Sequence, residues 1–206
     1  MPGKPGTLSR SDRKRREILD TARVLFLREG FAGAGMETLA REAGVSTATL
    51  YAHFPSKSEM FRTVVEEAVA ELARGVRDTT SHRGDCRTRL CEFAYAYAKF
   101  YSDPLSRSVM RMVTAERRRF AGVADYFQDR ALAELGGAAI EILDALAADG
   151  EIRFEKASWA AGQLLGMIEH ATLVYGLVSG DDAMPRRPLR MICDDAVDTF
   201  LARYRI

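Results

Sequence analysis

Residues 36–57, METLAREAGVSTATLYAHFPSK, narrow the choice of fold more than any other segment, because they predict two short helices joined by a tight turn. Ala40 is small enough for two helices to cross closely, and Gly44 suits a turn that needs a positive φ. Leu50 falls where an apolar side chain holds the second helix against the first. This spacing is typical of a helix-turn-helix, although an ordinary pair of packed helices in an all-α core would also fit it.

The second helix of this segment is predicted to have an inner and an outer face. Ser46 or Thr47 can serve as its N-cap, while Leu50 and Phe54 point inward four residues apart. The outer side chains are polar or aromatic and uncharged, with a lysine just beyond them: Thr47, Ala48, Thr49, Tyr51, Ala52, His53 and then Lys57.

The stretch AGVSTATLYAHFPSKSEMF, residues 43–61, closely resembles the recognition segment of the TetR family of bacterial transcriptional regulators. The match extends upstream through RREILDTARVLFLREGFAGAGMETLA, so that it covers about residues 12–72. Ala48 stands where the family commonly has Gly, and Gly35 stands at the usual Ser or Thr N-cap of the first helix. Gly is an acceptable but weaker cap, whereas Ala48 leaves open what the second helix reads.

The resemblance implies a homodimeric repressor that binds a palindromic double-stranded operator and is released from it by a small hydrophobic or aromatic effector. Its pattern places Thr47, Ala48 and Tyr51 nearest the base edges of the major groove. Thr49, His53 and Lys57 would then lie at phosphates, and Ser46 would cap the helix or touch a phosphate through the helix N-terminus.

The charge distribution agrees with DNA binding. The chain has 206 residues and a net charge of +1, but residues 1–57 contain ten Lys or Arg against six Asp or Glu, which gives +4 and leaves −3 for the rest. Phosphate binding requires the positive end to be the helix-turn-helix end. The Arg13–Arg16 run is either a solvated face or a phosphate contact.

Several other classes of protein find no support in the sequence. No apolar run is long enough for a membrane span, and no secretory signal begins the chain, so we expect a cytoplasmic protein with reduced thiols. The three cysteines form no CxxC pair and no metal-ligand set with the three histidines. We therefore predict no metal, no cofactor and no enzymatic activity. Glu169 with His170 is the one acid–base pair worth naming, and such a histidine is more often buried or a ligand anchor than a catalytic base.

The periodicity predicts an all-α chain of about nine helices, with residues 1–11 as a flexible basic arm. That arm is either a disordered tail or, through Lys4 and Arg10, a contact to the DNA backbone or minor groove. Residues 12–57 are the expected DNA-binding domain, with the helix-turn-helix at 36–55, and residues 58–206 the expected ligand-binding and dimerisation domain. The predicted helices outside the motif run from Asp12 to Gly30 and over 56–79, 87–102, 104–117, 121–148, 155–179 and 189–204.

The last two helices are candidates for a subunit interface. Helix 155–179 is apolar on nearly every side, and helix 189–204 repeats apolar residues as in a helix-bundle seam. They could instead simply complete a monomeric core. TetR-type proteins dimerise through their two C-terminal helices, and RMVTAERRRFAGVADYFQDRALAEL, residues 111–135, loosely resembles the AefR-like C-terminal group.

An apolar effector site is expected among helices 56–79, 87–102, 104–117, 121–148 and 155–179, because large aromatic and flexible side chains are more numerous there than a core of this size needs. A Tyr hydroxyl or His170 would orient the ligand. The alternative is that these side chains are only core, as in a constitutive DNA-binding protein without an effector. The candidate ligand-binding residues are Phe93, Tyr97, Phe100, Met110, Phe127, Trp159, Met167, His170 and Tyr175, with Tyr126 beside them.

Overall fold

The computed structural model describes residues 9–80, 84–116 and 136–206, and these residues form nine helices and no strand beyond one isolated bridge between Ile152 and Arg205. The predicted all-α fold is therefore confirmed. The helices are α1 (Arg10–Gly33), α2 (Met36–Glu42), α3 (Thr47–His53), α4 (Lys57–Thr80), α5 (Cys86–Ser102), α6 (Pro104–Glu116), α7 (Gly137–Ala148), α8 (Ala157–Glu169, π-helical His170–Val174 and Tyr175–Ser179) and α9 (Leu189–Tyr204).

The chain divides into two compact units, one ending at Glu67 and the other beginning at Ala68. This division falls within α4, later in the chain than the expected domain boundary at residue 57. In the first unit α2 packs against both α1 and α3. Three phenylalanines meet in its core, since the ring of Phe61 lies 5.4 Å from that of Phe26 and 5.1 Å from that of Phe31. These rings join α1 to the start of α4 inside the first unit.

In the second unit α5 is the central helix, because it contacts α6, α7, α8 and α9. Its buried side chains include Leu90, Phe93 and Tyr97, and ion pairs from Arg87 to Asp198 and from Arg190 to Glu92 fasten α5 to α9 at the surface. The chain after α7 is tied to the end of α9, where the Arg153 N–H donates to the Tyr204 carbonyl at 2.8 Å.

Helix boundaries follow local capping. Helix α4 is capped by Ser56, three residues before the group it holds, since Ser56 Oγ accepts from the Glu59 N–H at 3.1 Å. Helix α1 begins at Arg10, before the predicted start at Asp12, because Ser9 and Asp12 form a reciprocal capping box. Gly30, the predicted end of this helix, has φ 69° and interrupts it before a last short turn.

Helix α8 departs from the prediction of one regular helix over 155–179. It contains a π-helical turn at His170–Val174, where the backbone accommodates one extra residue. Helix α7 is described only from Gly137, so most of the predicted helix 121–148, with Tyr126 and Phe127, lies outside the described residues.

Candidate DNA-binding and effector sites

The turn between α2 and α3 has the backbone that its sequence requires. Gly44 has φ 62°, a conformation that costs a residue with a side chain free energy. The Gly44 N–H donates to the Arg41 carbonyl and the Val45 N–H to the Ala40 carbonyl, which is the Schellman arrangement that ends a helix. Leu39, Ala40 and Leu50 are buried beside this turn. The local geometry of a helix-turn-helix is thus present.

Helix α3 leaves one face open to solvent. Ser46 caps the helix, because its Oγ accepts from the Thr49 N–H at 3.1 Å and lies 2.8 Å from Thr49 Oγ1. Thr47, Ala48 and Tyr51 are exposed, and Tyr51 is 49% exposed although its side chain is large and aromatic. His53 lies half-buried in the last turn. The residues predicted to contact DNA therefore share one region of the surface, and their DNA contacts stay a prediction.

Lys57, predicted at a phosphate, also has partners within the protein. Its Nζ donates to the Ala32 carbonyl at 3.1 Å and lies 4.7 Å from the centre of the Phe31 ring. An ammonium group has three N–H donors, so this hydrogen bond does not by itself prevent a phosphate contact.

Three side chains of the basic run at the start of α1 make contacts within the protein: two ion pairs and one cation–π contact. Lys14 pairs with Glu17, and Arg16 pairs with Glu67 at 3.4 Å. The Arg15 guanidinium lies 4.8 Å from the centre of the Phe54 ring, at the end of α3. This cation–π contact brings a positive charge to the end of the predicted recognition helix.

The candidate effector residues of α5 form a line of aromatic rings. Phe93 stacks on Tyr97 at 6.2 Å, Tyr97 meets Tyr101 edge-on at 4.9 Å, and Tyr101 meets Phe100 at 5.1 Å. Phe93 and Tyr97 are fully buried, whereas Phe100 and Met110 are partly buried against the same core.

A carboxylate from α8 meets this line, which the sequence interpretation did not anticipate. The Tyr97 hydroxyl donates a short hydrogen bond to Glu169 Oε1. Burial raises the pKa of Tyr97 well above its ordinary value, and the neighbouring Tyr101 and Glu169 raise it further. Burial also raises the pKa of Tyr101 to about 12. Both phenols keep their protons at neutral pH, and the Tyr97 proton is the one donated to Glu169.

The remaining candidate effector residues lie elsewhere. Met167, His170 and Tyr175 line a groove of about 530 Å³ between α8 and α9, together with residues such as Val178 and Ile192. Trp159 is 60% exposed in the first turn of α8, beneath the Lys156 ammonium. Glu169 and His170 thus lie in different surroundings although they are adjacent. The candidate residues that the structure describes fall in three places: the aromatic line of α5 with its neighbouring core, this groove, and the first turn of α8. Phe127 lies outside the described residues.

Most of the exposed large apolar side chains lie on two neighbouring helices and their connecting loop, and two of them, Val174 and Val178, line the groove. Within the part of the chain that the structure describes, nine large apolar side chains are exposed, and six of them lie on α8, α9 and the loop between them: Trp159, Val174, Leu177, Val178, Met184 and Met191. Clustered exposed apolar side chains mark interaction surfaces more often than scattered ones do.

None of the helices in residues 9–80, 84–116 and 136–206 is long and apolar enough to cross a membrane. Over the same ranges no group of three or more His, Cys, Asp or Glu is placed to hold a metal ion.

Two family models match the chain. Residues 18–64 match the model described as bacterial regulatory proteins of the tetR family. Residues 88–206 match the model described as the C-terminal domain of AefR-like transcriptional repressors. The second match alone covers more than half of the chain.

Relatives of known name are similar to this chain over only about half of its length. The transcriptional activator FasR of Mycolicibacterium smegmatis is 37% identical over 89 residues, which are 43% of this chain and 41% of FasR. The transcriptional regulator AcrR of Shigella flexneri is 30% identical over 120 residues, 55% of this chain and 48% of AcrR. The matched stretch therefore spans less than half the length of each of these two relatives.

Solved structures extend the similarity of fold to almost the whole chain. A TetR-family transcriptional regulator from Mesorhizobium loti superposes with a TM-score of 0.84 at 24% identity, covering 97% of this chain and all of that one. The fatty acid degradation regulator FadR from Bacillus halodurans superposes with a TM-score of 0.72 at 17% identity, covering 98% of this chain and all of that one.

Proposed function

This chain belongs to the TetR family of DNA-binding transcriptional regulators, and from that premise we propose that it is a homodimeric, effector-released repressor of a palindromic operator in the cytoplasm. The observation that carries the proposal is the exposed face of α3, where Tyr51, Thr47 and Ala48 stand open to solvent beside a helix-turn-helix turn. Repression rather than activation is proposed because the C-terminal match is to a repressor domain.

The proposed interface with DNA uses α3 in the major groove. Tyr51, Thr47 and Ala48 would contact base edges, while Thr49, His53 and Lys57 would contact phosphates. Two such helices in a two-fold dimer would read two half-sites about one helical turn apart.

Binding of the purified protein to its own upstream DNA, measured by mobility shift, tests this part. Tyr51→Ala should weaken specific binding and reduce the preference over unrelated DNA. Val24→Ala removes a similarly exposed apolar side chain from α1 in the same unit and should change neither. Equal binding by the wild type and Tyr51→Ala would remove Tyr51 from the proposed interface.

The proposed dimer uses α8 and α9. The six exposed apolar side chains on and between these helices support it, since a second copy packed against α8 and α9 would cover apolar surface, including the groove that Val174 and Val178 line. Phe200 belongs to the apolar repeat of helix 189–204, but it is only 2% exposed within one chain, so a charge there would disrupt the core of the protomer itself.

Sedimentation of a variant with an added charge tests the dimer without disturbing the core. Val178 is 83% exposed, so Val178→Asp should leave the protomer folded and produce a monomer. Ala148→Asp places the same charge at an exposed position at the end of α7 and should leave the dimer intact. A stable Val178→Asp dimer would move the interface elsewhere.

The proposed effector site lies beside the aromatic line of α5, and Phe127 remains part of the proposal. Glu169 adds a hydrogen-bond acceptor there, so we propose a largely apolar ligand that offers a hydrogen-bond donor to the Tyr97–Glu169 pair. A compound that releases wild-type protein from DNA should fail to release Glu169→Gln at the same concentration, while both proteins bind DNA equally. If no compound released the protein, a constitutive DNA-binding protein would be the better description.

A further inference from the structure

Arg107 of α6 is fully buried, which is rare for an arginine. Its guanidinium donates to four backbone carbonyls: those of Tyr101 at 2.8 Å, Asp181 at 3.0 Å, Thr172 at 3.1 Å, and Ala183. A buried charge is tolerated only when its hydrogen bonds are made, and these four acceptors come from three separate segments of the second unit. Arg107 therefore joins the end of α5 to α8 and to the loop that follows α8.

The contact to α8 falls in its π-helical turn. The Thr172 carbonyl accepts from the Tyr175 N–H within the helix and also from Arg107. Thr172 itself is fully buried, and its hydroxyl donates to the Ile168 carbonyl at 2.8 Å. The inner side of the π-turn is thus occupied by hydrogen bonds, while Val174 and Tyr175 on its other side line the groove between α8 and α9.

Gly176 allows the arginine to approach. A Cβ at this position would lie 2.2 Å from Arg107 Nε and 2.4 Å from Arg107 Cζ, which is closer than any real contact. The guanidinium lies directly against the backbone of α8 at Gly176, which follows Tyr175, the residue that ends the π-helical turn. Any larger residue would displace Arg107 from the helix.

We propose that Arg107 is a positioning residue that holds the π-turn of α8 and thereby determines which side chains α8 presents to a second copy of this chain. Each residue of an α-helix advances about 100° around the axis, so one extra residue in a turn rotates everything after it by about that angle. If α8 relaxed to a regular helix, Tyr175 and Val178 would rotate out of the groove they now line. The inference rests on the proposed dimer through α8 and α9.

Two variants that remove the same contact from opposite sides test it. Arg107→Met keeps an unbranched side chain and removes the guanidinium, whereas Gly176→Ala keeps the arginine and fills its place. Each should weaken the dimer by at least about tenfold in sedimentation equilibrium and speed amide hydrogen exchange at residues 170–179. The double variant should be no weaker than the single ones, because the contact is already lost.

A matched control separates positioning from general loss of stability. Leu164 is fully buried earlier in α8, so Leu164→Ala should lower stability without touching Arg107 and should leave the dimer constant unchanged. Folded Arg107→Met or Gly176→Ala protein with the wild-type dimer constant and wild-type exchange at 170–179 would overturn the inference. If Arg107→Met does not fold, Gly176→Ala alone decides between these results.

A monomeric wild type would instead refute the proposed dimer. Hydrogen exchange then tests the role of Arg107 separately, by comparing Arg107→Met with Leu164→Ala at equal stability. Faster exchange at residues 170–179 in Arg107→Met supports the proposal that Arg107 holds the π-turn, and equal exchange in the two variants overturns it.

Discussion

Replacing Lys57 with methionine separates two roles that the sequence and the structure assign to one side chain. Methionine keeps apolar contact with the Phe31 ring but loses the hydrogen bond to the Ala32 carbonyl and the cation–π contact. A hydrogen bond contributes about 0.5–1.5 kcal/mol net and an exposed cation–π contact about 0.5–1 kcal/mol. We therefore expect Lys57→Met to lower the free energy of unfolding by about 1–2.5 kcal/mol in urea denaturation.

The predicted phosphate contact of Lys57 is measured separately, by the salt dependence of DNA affinity. Each lost phosphate contact lowers the slope of log affinity against log salt by about 0.9, so a dimer that loses two should lose about 1.8. Fluorescence anisotropy with labelled operator between 50 and 200 mM salt measures this slope, and Lys57→Arg, which keeps the charge, is the control. A stability loss with an unchanged slope would refute the phosphate contact, whereas a changed slope with unchanged stability would refute the internal role.

Three further outcomes are expected. Hydrogen bonding to Arg87 lowers the pKa of Asp198 below its ordinary 3.8. The pair therefore stabilises the fold above pH 3.8, and this stabilisation is lost as the pH falls through the lower pKa of the folded state. The urea midpoints at about pH 5 and about pH 3 should differ less in Asp198→Asn than in wild type. Burial raises the pKa of Cys91 to about 11 and that of Cys193 to about 12, so native protein at pH 8 should react with iodoacetamide far more slowly than unfolded protein, and equal rates would contradict their burial. Gly44→Ala should lower the free energy of unfolding by about 1–2 kcal/mol because φ is 62° there, and an unchanged urea midpoint would contradict this.

The features that could be predicted from sequence depend on local chemistry. Gly44 and Ser56 act within four residues of themselves, so the turn and the cap of α4 follow from the residues beside them. The capping box of Ser9 and Asp12 is equally visible in the sequence, but the Pro, Gly and basic residues of this segment predict a flexible arm instead. Composition misled where spacing was informative.

The features of α8 could not be predicted because its apolar residues occur on every side. Periodicity then assigns no inner face, and Trp159 was expected inside although it is 60% exposed. The π-turn depends on Arg107, more than sixty residues earlier in the chain, which no local pattern links to Thr172. The pairing of Tyr97 with Glu169 is likewise a contact between distant segments, so the carboxylate at the proposed effector site appears only in three dimensions.

In the proposed dimer, with α3 as the helix that reads the major groove, the shortness of α3 limits how much sequence information one protomer can read. Seven residues, Thr47–His53, rise about 10.5 Å at 1.5 Å each, which is about three base pairs at 3.4 Å each. Three base pairs distinguish about 64 sequences and two half-sites about 4,000, whereas a genome offers at least about 10⁶ positions. Several hundred matches would therefore occur by chance. The additional discrimination has to come from the fixed separation of the two half-sites and from the deformability of the DNA between them.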